Sequence, residues 1–124
     1  LFFNAKRKQS LARRAAFASP DCAEAIRAMF LHLTAYLDAC GMGAGNSSFS
    51  RWPERLSGRM PTDYIREYRY AASIFSEAAY STHPMTEEQR TDMEKILDET
   101  ERILYDEAGW KQKLRLKYVE CLHL

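Results

Sequence analysis

Glycine and proline are scarce in this chain, five and four among 124 residues, which disfavours both a disordered polymer and a turn-rich β fold. Nowhere does an apolar run approach the roughly 18 residues of a membrane-spanning helix, so the chain as given is expected to be soluble. The three cysteines, Cys22, Cys40 and Cys121, are odd in number, widely spaced and free of any C-x-x-C pairing. That excludes a secreted disulfide framework and a zinc ribbon, and it fits a reducing cytosol. A glycine-rich phosphate loop and a serine-centred nucleophile elbow are also missing. There is no strand-like alternation of useful length, and no repeat with a period of roughly 20–50 residues.

What is present suits a single helical domain. Hydrophobic residues make up 46% of the chain and charged ones 28%, ordinary values for one globular core of this size. The formal net charge of +1 hides a strong segregation. Residues 1–18 carry Lys6, Arg7, Lys8, Arg13 and Arg14 with no acid, a charge of +5. Residues 111–124 set Lys111, Lys113, Arg115 and Lys117 against Glu120, a charge of +3. Residues 19–110 therefore hold −7, nine basic side chains against sixteen acids. Both ends are basic and the body is acidic.

Start, stop and periodicity signals divide the body into helices. Ser19-Pro20-Asp21 reads as a helix start, with Ser19 as the cap and Pro20 where no N–H is missed. Ile26, Met29, Phe30, Leu33, Tyr36, Leu37 and Cys40 follow at three- and four-residue spacing, and Gly41 is the natural stop, so a helix is expected over 19–40. After a loop from Gly41 to Ser50, Ser48 or Ser50 caps a short helix bearing Phe49, Trp52 and Leu56, ended by Gly58 and Pro61. Thr62 and Asp63 open a third helix whose seam is Ile65, Tyr68, Ala72, Phe75 and Ala79, widened by Tyr64, Ala71 and Ala78; Ser81-Thr82-His83-Pro84 breaks it. Thr86-Glu87-Glu88-Gln89 matches a capping box. Met93, Ile96, Leu97, Thr100, Ile103, Leu104, Glu107, Leu114, Tyr118 and Cys121 then keep a helical rhythm, interrupted only by Gly109. The expectation is either one helix of about 38 residues or a kink near Ala108-Gly109-Trp110, where glycine costs about 1 kcal/mol relative to alanine. The predicted fold class is all-α, an antiparallel bundle of three long helices plus one short one over 19–124, with 1–18 as a basic flank.

Residues with chemical potential are few and scattered. Cys40 or Cys121 beside His32, His83 or His123 has the composition of a thiolate nucleophile, but Cys40 lies on an apolar stripe where a cysteine behaves as a small hydrophobe. Glu120-Cys121-Leu122-His123 is a formal Glu-x-x-His, yet carboxylate-bridged metal bundles need two copies and further inward carboxylates. The acids Glu87, Glu88, Asp92, Glu94, Asp98, Glu99, Glu101, Asp106 and Glu107 lie mostly off the apolar stripe and read as a solvated face. Arg66, Arg69 and Arg90 would extend a nucleic-acid patch, but the −7 body repels a phosphate backbone. The aromatic set Trp52, Tyr64, Tyr68, Tyr70, Phe75, Tyr80, Tyr105, Trp110 and Tyr118 reads as core and boundary packing, with an exposed subset as a partner surface. No cofactor, metal, nucleic acid or small-molecule substrate is expected.

Leu1-Phe2-Phe3 followed by Asn4-Ala5-Lys6-Arg7-Lys8 has the pattern of a hydrophobic span running into a cytosolic flank, where basic residues accumulate. Beyond it come Ala25-Ile26-Arg27-Ala28-Met29-Phe30, Leu37-Asp38-Ala39-Cys40-Gly41, Ile74-Phe75-Ser76-Glu77-Ala78-Ala79-Tyr80-Ser81 and Met85-Thr86-Glu87-Glu88. Taken in that order, the chain resembles the cytosolic C-terminal helical region of bacterial transglutaminase-like membrane proteins. The resemblance implies transmembrane helices and an extracytoplasmic papain-like domain upstream, with the Cys-His-Asp triad in that portion. None of Cys22, Cys40 or Cys121 matches the triad by context. The expected function is a non-catalytic module on the cytoplasmic side of a membrane, acting in interaction or regulation, with Lys6, Arg7, Lys8, Arg13 and Arg14 touching the membrane surface. The alternative is a freestanding adaptor that binds a protein partner through the tyrosine-rich third helix or the acidic fourth.

Overall fold

A computed structural model of the chain describes residues 2–106, the first three of them by backbone alone, together with Gly109, Gln112, Lys113, Leu116 and Lys117. The described residues are helical throughout their ordered elements: α1 (Phe2–Ala16), α2 (Cys22–Ala39), a single 3-10 turn (Phe49–Arg51) running into the short α3 (Trp52–Leu56), α4 (Thr62–Tyr80) and α5 (Glu87–Asp106).

Three of these make the expected bundle. Arg27, near the start of α2, donates to the carbonyl of Ala78 at the end of α4, so α2 and α4 run antiparallel. Tyr64 meets Thr100, and Gln89 meets Glu77, so α4 and α5 do too. Cys22 meets Glu87 at one end, and His32 meets Glu101 further along; α2 and α5 are therefore parallel, as the outer members of an up-down-up arrangement must be.

The α2 stripe is buried as its periodicity requires: Ile26, Met29, Phe30, Leu33, Tyr36 and Leu37 are all within 2% of full burial, with Cys40 half-buried at the edge. Phe30 sits at the centre, stacked on Phe75 at 4.7 Å and edge-on to Phe49 at 5.2 Å. The helix ends in a Schellman motif. Gly41 takes φ +77°, its N–H reaches the Asp38 carbonyl at 3.0 Å and the Met42 N–H reaches Leu37 at 2.9 Å, which closes carbonyls the helix leaves unpaired. Its start differs from expectation. Asp21 is the cap, accepting from the Ala23 N–H at 3.1 Å, while Ser19 Oγ accepts from the Asp21 N–H. A carboxylate answers the positive end of the helix dipole with full charge where a hydroxyl offers only a partial one, and it takes the position.

On α4 the buried line is Tyr64, Tyr68, Ala71, Ile74 and Ala78, so the centre of the seam is turned toward the side the sequence marks as its margin. Ile65, Ala72, Phe75 and Ala79 are half-buried beside it. Tyrosine hydroxyls tolerate this because each has a partner. Tyr64 Oη lies 2.6 Å from Thr100 Oγ1 and Tyr68 donates to the Phe49 carbonyl at 2.9 Å, which removes the penalty for burying them. The capping box of α5 is present as written: the Gln89 N–H reaches Thr86 Oγ1 and the Thr86 N–H reaches Gln89 Oε1. Met93, Ile96, Leu97, Thr100, Ile103 and Leu104 face the core. α5 is described as far as Asp106, Gly109 lies outside any helix, and Gln112 and Lys113 are helical. Glu107, Leu114, Tyr118 and Cys121 lie outside the described residues.

The largest departure is at the start of the chain. The segment expected as a flank is a helix of 15 residues that packs on α2. Its inward face carries Lys6, Ser10, Arg13 and Arg14, with Phe17 in the turn just after it, and its outward face Arg7, Lys8, Leu11, Ala12 and Ala15. A helix docked through serine and arginine has no apolar stripe for periodicity to reveal.

Replacing Phe30 by alanine should cost about 3–5 kcal/mol, the range for emptying an aromatic site in a packed core. Urea unfolding followed by circular dichroism checks this, and a loss below about 1 kcal/mol would place the core elsewhere.

Candidate functional site

Two features of the fold have the composition of a site: a polar cluster under α1 and a groove along α4. The cluster centres on His32, which is fully buried. Arg13 Nη1 lies 3.4 Å from His32 Nδ1, and Arg14 Nη2 lies 3.4 Å from Nε2 and equally far from Glu101 Oε1. Glu101 Oε1 is itself 3.6 Å from His32 Nε2. A neutral imidazole offers one donor and one acceptor, and the arrangement suits Nε2–H directed at Glu101 with Nδ1 facing Arg13. Phe17 closes the ring edge-on at 5.6 Å. Close by, Arg90 forks onto the carbonyls of Phe17 and Ser19, both at 2.6 Å, holding the α1–α2 linker against α5.

Burial tunes the groups around this cluster. It lowers the affinity of the Arg13 guanidinium for its proton, and it raises the Tyr36 hydroxyl, with the Glu101 charge adding to the effect. Lost hydration, then the charges of Glu101 and Glu94, push the Asp98 carboxyl above its usual range, and Arg14 pulls it back. With His32 closed to solvent, the cluster joins α1 to α2 and α5.

The groove lies between α4 and the segment 47–53 and encloses about 730 Å³. Its floor is Phe49 and Phe75, crossed edge-on at 5.7 Å and both resting on Phe30. One wall is Ser47, Ser48, Ser50 and Pro53; the other is the α4 face of Arg69, Ala72, Ser73, Ser76 and Tyr80. Small side chains occupy the middle of that face and long ones its ends, which is why the groove is open. Ser48 caps the 3-10 turn, accepting from the Ser50 N–H, and Trp52 Nε1 donates to the Ser47 carbonyl, so the opposing wall is fixed. Tyr80 is 84% exposed at the far end. The volume falls within the range of ligand sites, which are apolar concavities with a few polar groups.

The structure separates most of the residues the sequence singles out. Of the five basic flank residues, Arg7 and Lys8 are exposed, Lys6 is half-buried, and Arg13 and Arg14 are half-buried against the His32 cluster. The three arginines considered for nucleic acid are dispersed: Arg66 pairs with Asp63 at 2.7 Å, Arg90 is committed to the linker, and Arg69 lines the groove. Cys22 donates to Glu87 Oε1 at 3.2 Å, and that bond, ahead of burial, raises its thiol; the thiolate is disfavoured there. His83 is exposed and faces Glu77 at 3.2 Å. Glu120, Cys121 and His123 lie outside the described residues. Among the described residues no group of three or more His, Cys, Asp or Glu is placed to hold a metal ion, and no helix is long and apolar enough to cross a membrane.

The acidic face is partly engaged within the chain. Glu101 meets α1, Asp92 accepts from Tyr70 at 2.7 Å, and Glu99 takes both Nε and Nη2 of Arg102. Ser73 and Ser76 carry one signal in the sequence, a run of small residues on the α4 face between Arg69 and Tyr80, and Ser47 carries none beyond its place in the 41–50 loop. No family model, no curated protein and no solved structure matches the chain.

The Asp98 shift has a definite sign. A carboxyl held above its unfolded value, about 3.9, destabilises the fold once it is charged, so the penalty is present at neutral pH and disappears as pH falls below that value. Asp98→Asn should therefore raise the melting temperature slightly at pH 7 and leave it unchanged at pH 3. Thermal melts at the two pH values check this, and a lower melting temperature at pH 7 would contradict it.

Proposed function

We propose that the chain is a non-catalytic helical interaction module that receives a short segment of a protein partner in the groove between α4 and residues 47–53. The observation that carries this reading is the groove's construction. An aromatic floor continuous with the core is left uncovered by Ala72, Ser73 and Ser76, beside a tyrosine at 84% exposure. Exposed aromatics over a rigid floor supply contact area at low entropic cost, the usual source of anchoring energy at interfaces. The polar cluster under α1 supports the same reading from the other side, since its histidine, arginines and glutamate are spent on holding a helix.

A second reading concerns where the module works. Arg7 and Lys8 are exposed on the outward face of α1 next to Leu11, which is 47% exposed. Basic residues beside an apolar one suit contact with an anionic membrane surface. That placement agrees with the resemblance to the cytosolic helical region of transglutaminase-like membrane proteins, in which this segment follows the last span as an interaction or regulatory part.

Selection of random 12-residue displayed peptides against the chain should enrich clones that bind with dissociation constants in roughly the micromolar range. Ser76→Trp, which fills the groove from an exposed position, should weaken them about tenfold or more without lowering the melting temperature. Clones that bind the variant equally well would move the docking site elsewhere. For the second reading, Arg7→Gln with Lys8→Gln should weaken partitioning onto phosphatidylserine vesicles by about 2 kcal/mol. Unchanged sedimentation with vesicles would contradict it.

A further inference from the structure

We infer that the segment docked in this groove carries a carboxylate, which pairs with Arg69 while a neighbouring apolar side chain rests on Phe49 and Phe75. The inference depends on the docking reading and adds the chemistry of the occupant. Arg69 is the single charged residue in the groove lining among the described residues. Among the described residues no carboxylate engages it: Arg66, one turn earlier, is the residue that takes Asp63. Among the described residues the lining holds no acid, although residues 19–110 carry −7 overall. An acidic segment meets exposed Glu88, Glu94 and Asp98 along the α5 surface, whereas in this groove the charge it meets among the described residues is the Arg69 guanidinium. Potentials arranged in this way select and orient a partner more than they tighten it.

The dimensions set the length of the segment. Arg69 and Tyr80 are eleven residues apart on α4, about 16 Å at 1.5 Å per residue. At about 3.3 Å per extended residue, that accommodates roughly five residues between the arginine and the exposed tyrosine. The hydroxyls of Ser47 and Ser76 line the course between them, where they can meet the polar backbone of the segment. A carboxylate at one end and an apolar or aromatic side chain two or three positions away match the guanidinium, the phenylalanine floor and Tyr80 in that order. Arginine is suited to the role because its planar fork takes a carboxylate through two parallel hydrogen bonds.

The test uses three degenerate nine-residue peptide pools with a fixed phenylalanine and, three positions before it, glutamate, glutamine or lysine. Binding of each pool to the full chain is followed by fluorescence anisotropy at low salt. The glutamate pool is expected to bind about fivefold more tightly than the glutamine pool, and the lysine pool most weakly. Arg69→Gln should erase the preference and Arg69→Glu should reverse it in favour of lysine, while Ser76→Trp weakens all three. Because Arg69 and Ser76 are exposed, unchanged melting temperatures for the variants are expected. Equal binding of the glutamate and glutamine pools, or a glutamate preference that survives Arg69→Gln, overturns the carboxylate inference and leaves the docking reading standing. If no pool binds, the docking reading falls and this inference with it.

Discussion

Because α2 is buried on nearly every side, it needs two different kinds of neighbour. Its apolar side, from Ile26 to Leu37, is covered by α4 and α5. Its other side carries His32, which is just as buried and cannot be covered by hydrocarbon without leaving ring nitrogens unpaired. α1 meets that requirement with Arg13 at Nδ1, and α5 with Glu101 facing Nε2, a carboxylate that Arg14 also reaches. The four long helices are thus held by two physically distinct interfaces that share one helix. The apolar one also makes the groove, since Phe30 is the support on which Phe49 and Phe75 rest.

The same constraint gives the charge segregation a structural use. A +5 stretch beside a −7 body would repel other copies of itself or attract unrelated polymers if both parts stood free. Folding α1 onto α2 instead places Arg14 against Glu101, and Arg90 of α5 reaches back to the Phe17 and Ser19 carbonyls. The contact is less well satisfied than the core: the Arg13 bond to His32 Nδ1 and the Arg14 bond to Glu101 are both 3.4 Å long, and Ser10 Oγ is buried with no hydrogen-bond partner among the described residues. An unpaired buried hydroxyl costs on the order of 1–3 kcal/mol. α1 is accordingly the least strongly docked of the long helices.

Elements that depend on local rules were legible in the sequence. Gly41 in the left-handed region, the reciprocal Thr86 and Gln89 bonds, and the buried faces of α2 and α5 follow from conformational freedom, capping and a 3.6-residue period. Elements that depend on a partner far along the chain were not. The inward face of α1 reads as solvated because its counter-charge, Glu101, is 87 residues away from Arg14. The seam of α4 is rotated because Thr100 and the Phe49 carbonyl satisfy tyrosine hydroxyls that sequence places at the boundary. The groove was invisible for a related reason: Arg69, Ser73 and Ser76 are unremarkable until the 47–53 segment is set opposite them.

Amide hydrogen exchange on the intact chain probes this organisation most directly, because it reads the stability of each helix separately. The account predicts that amides of α2 exchange only through global unfolding, while those of α1 open independently and exchange about a hundredfold faster or more, a difference of about 3 kcal/mol. Equal protection of α1 and α2 would contradict it, since the polar interface would then be as strong as the core.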